Sequence, residues 1–176
     1  MLPGGIHICK GIENYRDNED LPANYEEKVE AVKGYIAYAI KNQNYKYKDL
    51  QVSPEAFVIE SIKNDFDLPL MLAQAHQESC FGMSARARKT NSVFAIGSHD
   101  DGTNKRFYDT QDESIAEYIN LLKNHYLVNG KTELDLLKTN GFVDCKNNRY
   151  ASDENYEANI RRLRNKIIKM YPVLAD

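Results

Sequence analysis

Residues Leu68 to Ile96 read LPLMLAQAHQESCFGMSARARKTNSVFAI, a pattern that sets one carboxylate at the end of an otherwise apolar helix. Asp67 precedes it as a helix cap, and Pro69 falls in the first turn, where a missing backbone N–H costs nothing. Leu70, Met71, Leu72, Ala73 and Ala75 are apolar on every side, the pattern of a helix enclosed in a core. Glu78 continues the face of Met71, Gln74 and Ala75, because residues three and four apart lie above one another. A carboxylate in that position leaves bulk water in part. Desolvation then raises a glutamate pKa toward the range where it donates a proton at neutral pH. Two readings of Glu78 stand at this point: a general acid, or a helix-end carboxylate paired with Arg86 or Arg88.

The flanking sequence supplies more helices. Tyr25 to Lys41 carries a stripe of Tyr25, Val29, Val32, Ile36 and Ile40, with Asn24 as the expected cap. After the tyrosine- and lysine-rich loop Asn42 to Lys48, Ser53 and Pro54 open a helix bearing Phe57, Val58 and Ile62, which ends before Phe66. A short basic helix is expected from Ser84 to Lys89, where Arg86, Arg88 and Lys89 form either a solvated face or a contact for anionic peptides. Asn91 to Tyr108 is the strand-like region: Val93, Phe94 and Ile96, then a polar tip with Asp101-Gly102, then Arg106, Phe107 and Tyr108, which together predict a β-hairpin. Thr110 and Glu113 make a capping box for a helix from Gln111 to about Leu127, with Ile115, Tyr118, Ile119, Leu122 and Tyr126 in the core. A shorter helix from Glu133 to Thr139 is expected to end at Gly141, and Phe142 to Ala151 reads as a loop bearing Tyr150. The closing helix, about Asp153 to Met170, turns Tyr156, Ile160, Leu163, Ile167 and Met170 inward and its arginines and lysines mostly outward.

Three blocks of this text carry a resemblance. AQAHQESCFGMSARARKTNSVFAIG (Ala73 to Gly97), RFYDTQDESIAEYINLL (Arg106 to Leu122) and NRYASDENYEANI (Asn148 to Ile160) resemble, in order, the motifs of the glucosaminidase family of peptidoglycan hydrolases. The resemblance implies a predominantly helical α+β domain of lysozyme-like fold, spanning residues 24–176 behind an arm of residues 1–23, with one short β-hairpin lobe facing the acid. It implies an endo-β-N-acetylglucosaminidase acting on the glycan strands of peptidoglycan with Glu78 as general acid. Gln74, Asn91, Phe94, Tyr108 and Tyr150 would line the sugar site. With no tryptophan and 12 tyrosines, stacking on sugar rings falls to Tyr or Phe, with Tyr108 and Tyr150 the candidates. The acidic TxEY-like stretch that such lobes usually carry is missing, so the second carboxylate would be Asp101 or Asp100, or the substrate's own acetamido group would assist. Muramidase and lytic transglycosylase specificity remain alternatives, although the GLMQ-type segment of a transglycosylase is absent.

Composition narrows the classes further. The 176 residues are 42% hydrophobic and 28% charged, without an apolar run long enough to cross a membrane. A formal net charge of −3 argues against a nucleic-acid binder that relies on a global positive field. The start, MLPGGIHICK, lacks the basic and apolar regions of a secretory signal; either export uses another route, for which a phage particle or a holin is one candidate, or the signal was removed. The arm, with Pro3, Gly4, Gly5, Gly11, Pro22 and the acids between Glu13 and Asp20, reads as a tether, a docking segment for virion or tail proteins, or a plain terminus. A non-catalytic, wall-binding module of a virion is therefore the second class of function. Cys9, Cys80 and Cys145 show no metal-type spacing and read as free thiols. A Cys80–His76 nucleophile pair is the weaker alternative chemistry. His7, His76, His99 and His125 form no metal motif, and neither a metal nor another cofactor is expected.

Overall fold

The computed structural model describes residues 21–97 and 106–176. Among these residues the chain forms seven α-helices. They are α1 (Tyr25–Lys41), α2 (Pro54–Asn64), α3 (Leu68–Ser79), α4 (Ala85–Thr90), α5 (Glu113–Leu121), α6 (Glu133–Leu136) and α7 (Tyr156–Met170). A π-helical turn, Leu122–Tyr126, extends α5, and a 3₁₀ turn, Pro172–Ala175, follows α7. None of the described helices is long and apolar enough to cross a membrane.

The apolar run of the opening stretch makes α3 the central helix. Leu70, Met71, Leu72, Ala73 and Ala75 are fully buried, and each of the larger side chains contributes roughly 1.5–3 kcal/mol by leaving water. Helix α3 packs along α7 and against α2 and the 3₁₀ turn, while α2 also meets α1 and α5. Asp67 caps α3 as expected: its carboxylate accepts from the Leu70 amide at 2.7 Å, and Pro69 occupies the first turn. It also receives the Arg164 guanidinium of α7 at 3.1 and 2.7 Å, which fastens the start of α3 to the closing helix.

The other caps are corrected. Asn24, at φ −93° and ψ 13°, makes no side-chain cap to α1. Ser53 turns its hydroxyl to Glu55 and donates its amide to Asp112, so α2 begins on Pro54 without a hydroxyl cap. Thr110 accepts from the Glu113 amide, but Glu113 accepts from Asp109 rather than from Thr110, and the helix starts at Glu113. A full capping box occurs instead at Thr132 and Asp135, ahead of α6. Met170, expected inside, is 37% exposed at the end of α7.

The expected β-hairpin is not seen among the described residues. Val93 and Phe94 are both fully buried, whereas a strand sends neighbours to opposite faces. Asn91, Ala95 and Gly97 take φ of 57°, 58° and 73°, left-handed values that an extended strand cannot contain. The segment therefore runs as turns, held by Asn91, whose side-chain amide donates to the carbonyls of Tyr108 and Asp109. The strand-like pairing that the described residues do contain is one antiparallel bridge, Val143 with Arg149. The expected tip, with Asp100 and Asp101, lies outside the described residues, as does nearly all of the arm over residues 1–23. What remains is a helical domain, in keeping with the helical part of the lysozyme-like expectation.

Candidate active site

The C-terminal end of α3 builds the site. Cys80, Phe81 and Gly82 follow Glu78 and Ser79 with φ of 46°, 59° and 79°, three consecutive left-handed residues that stop the helix abruptly. Two interactions stabilise this turn. The Ser79 hydroxyl donates to the Val93 carbonyl at 2.6 Å and accepts from the Gly82 amide at 2.8 Å. The Gln111 side chain lies 2.0 Å from where a Cβ on Gly82 would sit, and its amide donates to the Gly82 carbonyl at 2.9 Å. Only glycine fits there.

Glu78 emerges just before this turn, half-buried. Neither Arg86 nor Arg88 pairs with it: Arg88 instead meets Asp49, and its guanidinium lies over the Tyr47 ring. The Tyr156 hydroxyl of α7 donates to Glu78 Oε1 at 2.7 Å. Burial raises the Glu78 pKa to about 7, against the smaller lowering effect of that hydrogen bond. At that value roughly half of the carboxyls carry a proton at neutral pH, where an ordinary glutamate is almost wholly ionised.

Behind Glu78 runs a chain of donors. Tyr118 of α5 donates to Gln74 Oε1, Gln74 Nε2 donates to the Tyr156 oxygen at 2.9 Å, and Tyr156 donates to Glu78. Burial holds both phenols well above their usual pKa, so they keep their protons and donate. All three bonds point the same way, which polarises each toward the carboxylate. Tyr118 and Tyr156 read as core residues in the sequence, and they are core, at 0% and 2% exposure. Their second role had one visible signal: each lies within one of the two later motif blocks, although spacing alone could not single it out.

The other expected site residues divide. Gln74 is fully buried and spends both ends of its amide on the donor chain. Phe94 is fully buried and stacked on Tyr118, with ring centroids 3.9 Å apart and planes 10° apart. Tyr150 remains partly exposed; its hydroxyl donates to the Phe94 carbonyl at 2.8 Å, and its ring lies 5.7 Å from that of Tyr156, nearly parallel. Tyr108 is partly exposed, with its amide on the Thr90 carbonyl and its hydroxyl buried. Asn91 fastens the segment after α4, as described above. Asp100 and Asp101 lie outside the described residues.

The thiol alternative fails on chemistry. Burial pushes the Cys80 thiol up to about 11, the reverse of the activation a nucleophile needs. His76 bonds Tyr35, not Cys80, at 2.7 Å.

The described residues thus form a helical domain with a desolvated carboxyl at a helix end and a buried phenol donating to it. The family model for Glucosaminidase, described as mannosyl-glycoprotein endo-β-N-acetylglucosaminidase, matches residues 54–169, from the first residue of α2 to the last turn of α7, and the chain belongs to that family. Glycoside hydrolase chemistry on a glycan is the activity this membership implies. No curated protein matches the chain.

Proposed function

We propose that the protein is a peptidoglycan hydrolase, an endo-β-N-acetylglucosaminidase in which Glu78 protonates the departing glycosidic oxygen. The observation that carries the reading is the Glu78 carboxyl itself, half-buried, raised to about 7 and bonded by Tyr156. Such a group supplies a proton at neutral pH to the leaving oxygen as the sugar passes through an oxocarbenium-like state. The partly exposed faces of Tyr108 and Tyr150 are the candidates for stacking on sugar. Gln74 and Phe94 act behind the surface, and Asn91, partly exposed, fastens the segment beside the acid.

The second role in the reaction belongs to Asp101 or Asp100, orienting water, or to the substrate acetamido oxygen, attacking the anomeric carbon. Direct attack by water inverts the anomeric centre, whereas acetamido assistance retains it. Proton NMR of the first-formed product distinguishes them. Delivery by a phage particle or through a holin belongs to the same proposal, and detection of the protein in purified virions tests it.

Digestion of purified peptidoglycan by the wild type and Glu78→Gln, followed by borohydride reduction and mass spectrometry, tests the whole reading. Reduced N-acetylglucosamine ends are expected from the wild type. Glu78→Gln should lower the rate by roughly 10²–10⁴-fold, the usual worth of a positioned general acid. Reduced N-acetylmuramic acid or anhydro ends would move the specificity to the neighbouring bond or reaction. A folded wild type that cuts no wall would point to the non-catalytic, wall-binding role.

A further inference from the structure

A second groove lies on another side of α3. It encloses about 380 Å³ and is walled by α1 at Tyr38 and Asn42, by the following loop at Gln43 and Tyr45, by α3 at His76 and Gln77, and by α7 at Arg162 and Lys166. His76 precedes Glu78 by two residues, so at 100° per residue it faces roughly 160° away from the acid. Although the protein carries a net charge of −3, no acid lines this groove among the described residues. Arg162 and Lys166 are exposed there, and neither has a carboxylate partner among the described residues. The Lys166 ammonium sits 4.9 Å from the Tyr38 ring centroid.

Both cations act on the groove wall. The His76 pKa is lowered first by burial and then by Lys166 and Arg162. The other groups near His76 are Tyr35 and Tyr38 of α1, Tyr45 of the loop, and Cys80 and Phe81, none of them anionic at neutral pH. Burial holds the Tyr35 phenol above its usual pKa, so it stays neutral, and its hydroxyl shares a 2.7 Å hydrogen bond with His76 Nδ1.

We propose that this groove is a binding site for carboxylate-bearing peptides, the stem peptides of the wall polymer, separate from the glycan site at Glu78. The identity of the ligand rests on the peptidoglycan reading above. Two features select a peptide. The guanidinium of Arg162 matches a carboxylate in geometry, with the Lys166 ammonium as a second cation. Gln43 and Gln77 carry carboxamides, whose paired donor and acceptor match both ends of a backbone amide, a pairing that the acceptor-only phosphates of a polyol phosphate do not offer. Such a site would hold a negatively charged enzyme to a negatively charged wall while its acid works on glycan.

The test is an NMR titration of the full chain with a synthetic stem pentapeptide bearing free carboxylates. Its carboxyl-amidated form and a glycerol-phosphate oligomer serve as separate arms. Shifts at Tyr38 to Gln43, His76 to Cys80 and Arg162 to Lys166 are expected, with an upward move of the His76 pKa and weakening in salt. Arg162→Glu combined with Lys166→Glu should weaken peptide binding at least roughly tenfold, since hydrogen bonds to charged groups are lost. The same variant should keep its thermal midpoint and its cleavage of soluble glycan. Equal binding of the amidated peptide, indifference to the double variant, or shifts confined to the surroundings of Glu78 would each overturn the proposal. Stronger binding of glycerol phosphate would overturn the peptide assignment. Glycan cleavage is read separately: its loss with peptide binding intact sinks the enzymatic reading alone, and cleavage without peptide binding sinks the groove alone.

Discussion

At Glu78 the proposed function and stability oppose each other. Its folded pKa of about 7 lies above its ordinary value of 4.5, so the folded protein holds that proton more tightly than the unfolded chain does. The stability this contributes is complete below pH 4.5 and is lost as pH rises through about 7. Glu78→Gln, which keeps the acceptor for Tyr156 and cannot ionise, should therefore match the wild type near pH 4 and exceed it by about 1–3 kcal/mol at pH 8, with the lower part of that range favoured by partial exposure. Thermal unfolding of the two proteins across that range checks the sign; a variant less stable than wild type at pH 8 would mean that burial is not what raises the acid. Tyr156→Phe acts on the same group in the opposite sense. It removes a bond that lowers the Glu78 pKa, so the alkaline limb of the cleavage profile, where the acid loses its proton, should move to higher pH.

At the scale of elements, Asp67 carries two loads that substitutions can separate. One is the cap on the Leu70 amide; the other is the charged fork from Arg164, which ties α3 to α7. Asp67→Asn keeps an oxygen for the cap and loses the charge, while Asp67→Ala loses both. Urea midpoints should fall in the order wild type, Asn, Ala, with Ala costing about 1–3 kcal/mol. Equal values for Asn and Ala would show that the cap contributes nothing beside the ion pair. The start of α3 was legible in the sequence because a cap, a first-turn proline and an apolar run agree within four residues. So was α1, whose stripe from Tyr25 gives its observed bounds of Tyr25–Lys41. The segment after Asn91 was not legible as turns, since Val93, Phe94 and Ile96 look like half of a hairpin until the left-handed φ of Asn91, Ala95 and Gly97 is known. Asn24 and Ser53 misled for a related reason: residue type marks a helix start, but φ and ψ and competing partners decide whether the side chain turns back to cap it.

Across the whole molecule, the acid is held by residues 44 and 82 positions apart in the chain, Tyr118 with Gln74 and Gln74 with Tyr156. Helical spacing could place both tyrosines inside; it could not say which buried amide their hydroxyls would meet. The partial burial of Glu78 was legible because it follows from the residue's place on its own helix, whereas the hydrogen bonds that reach it come from α5 and α7 and appear only once they pack. A double-mutant cycle separates a conducted effect from a field effect. Tyr118→Phe leaves Gln74 Oε1 buried without a donor, a cost of about 1–3 kcal/mol in stability. It should also move the alkaline limb of glycan cleavage upward, in the same direction as Tyr156→Phe but by less, because it weakens the chain at its far end. In the background of Tyr156→Phe, the hydroxyl that links Gln74 to Glu78 is gone, and Tyr118→Phe should then leave the limb where it is. Shifts that instead add within error would mean that Tyr118 reaches Glu78 through its field across the core, with Gln74 as a bystander.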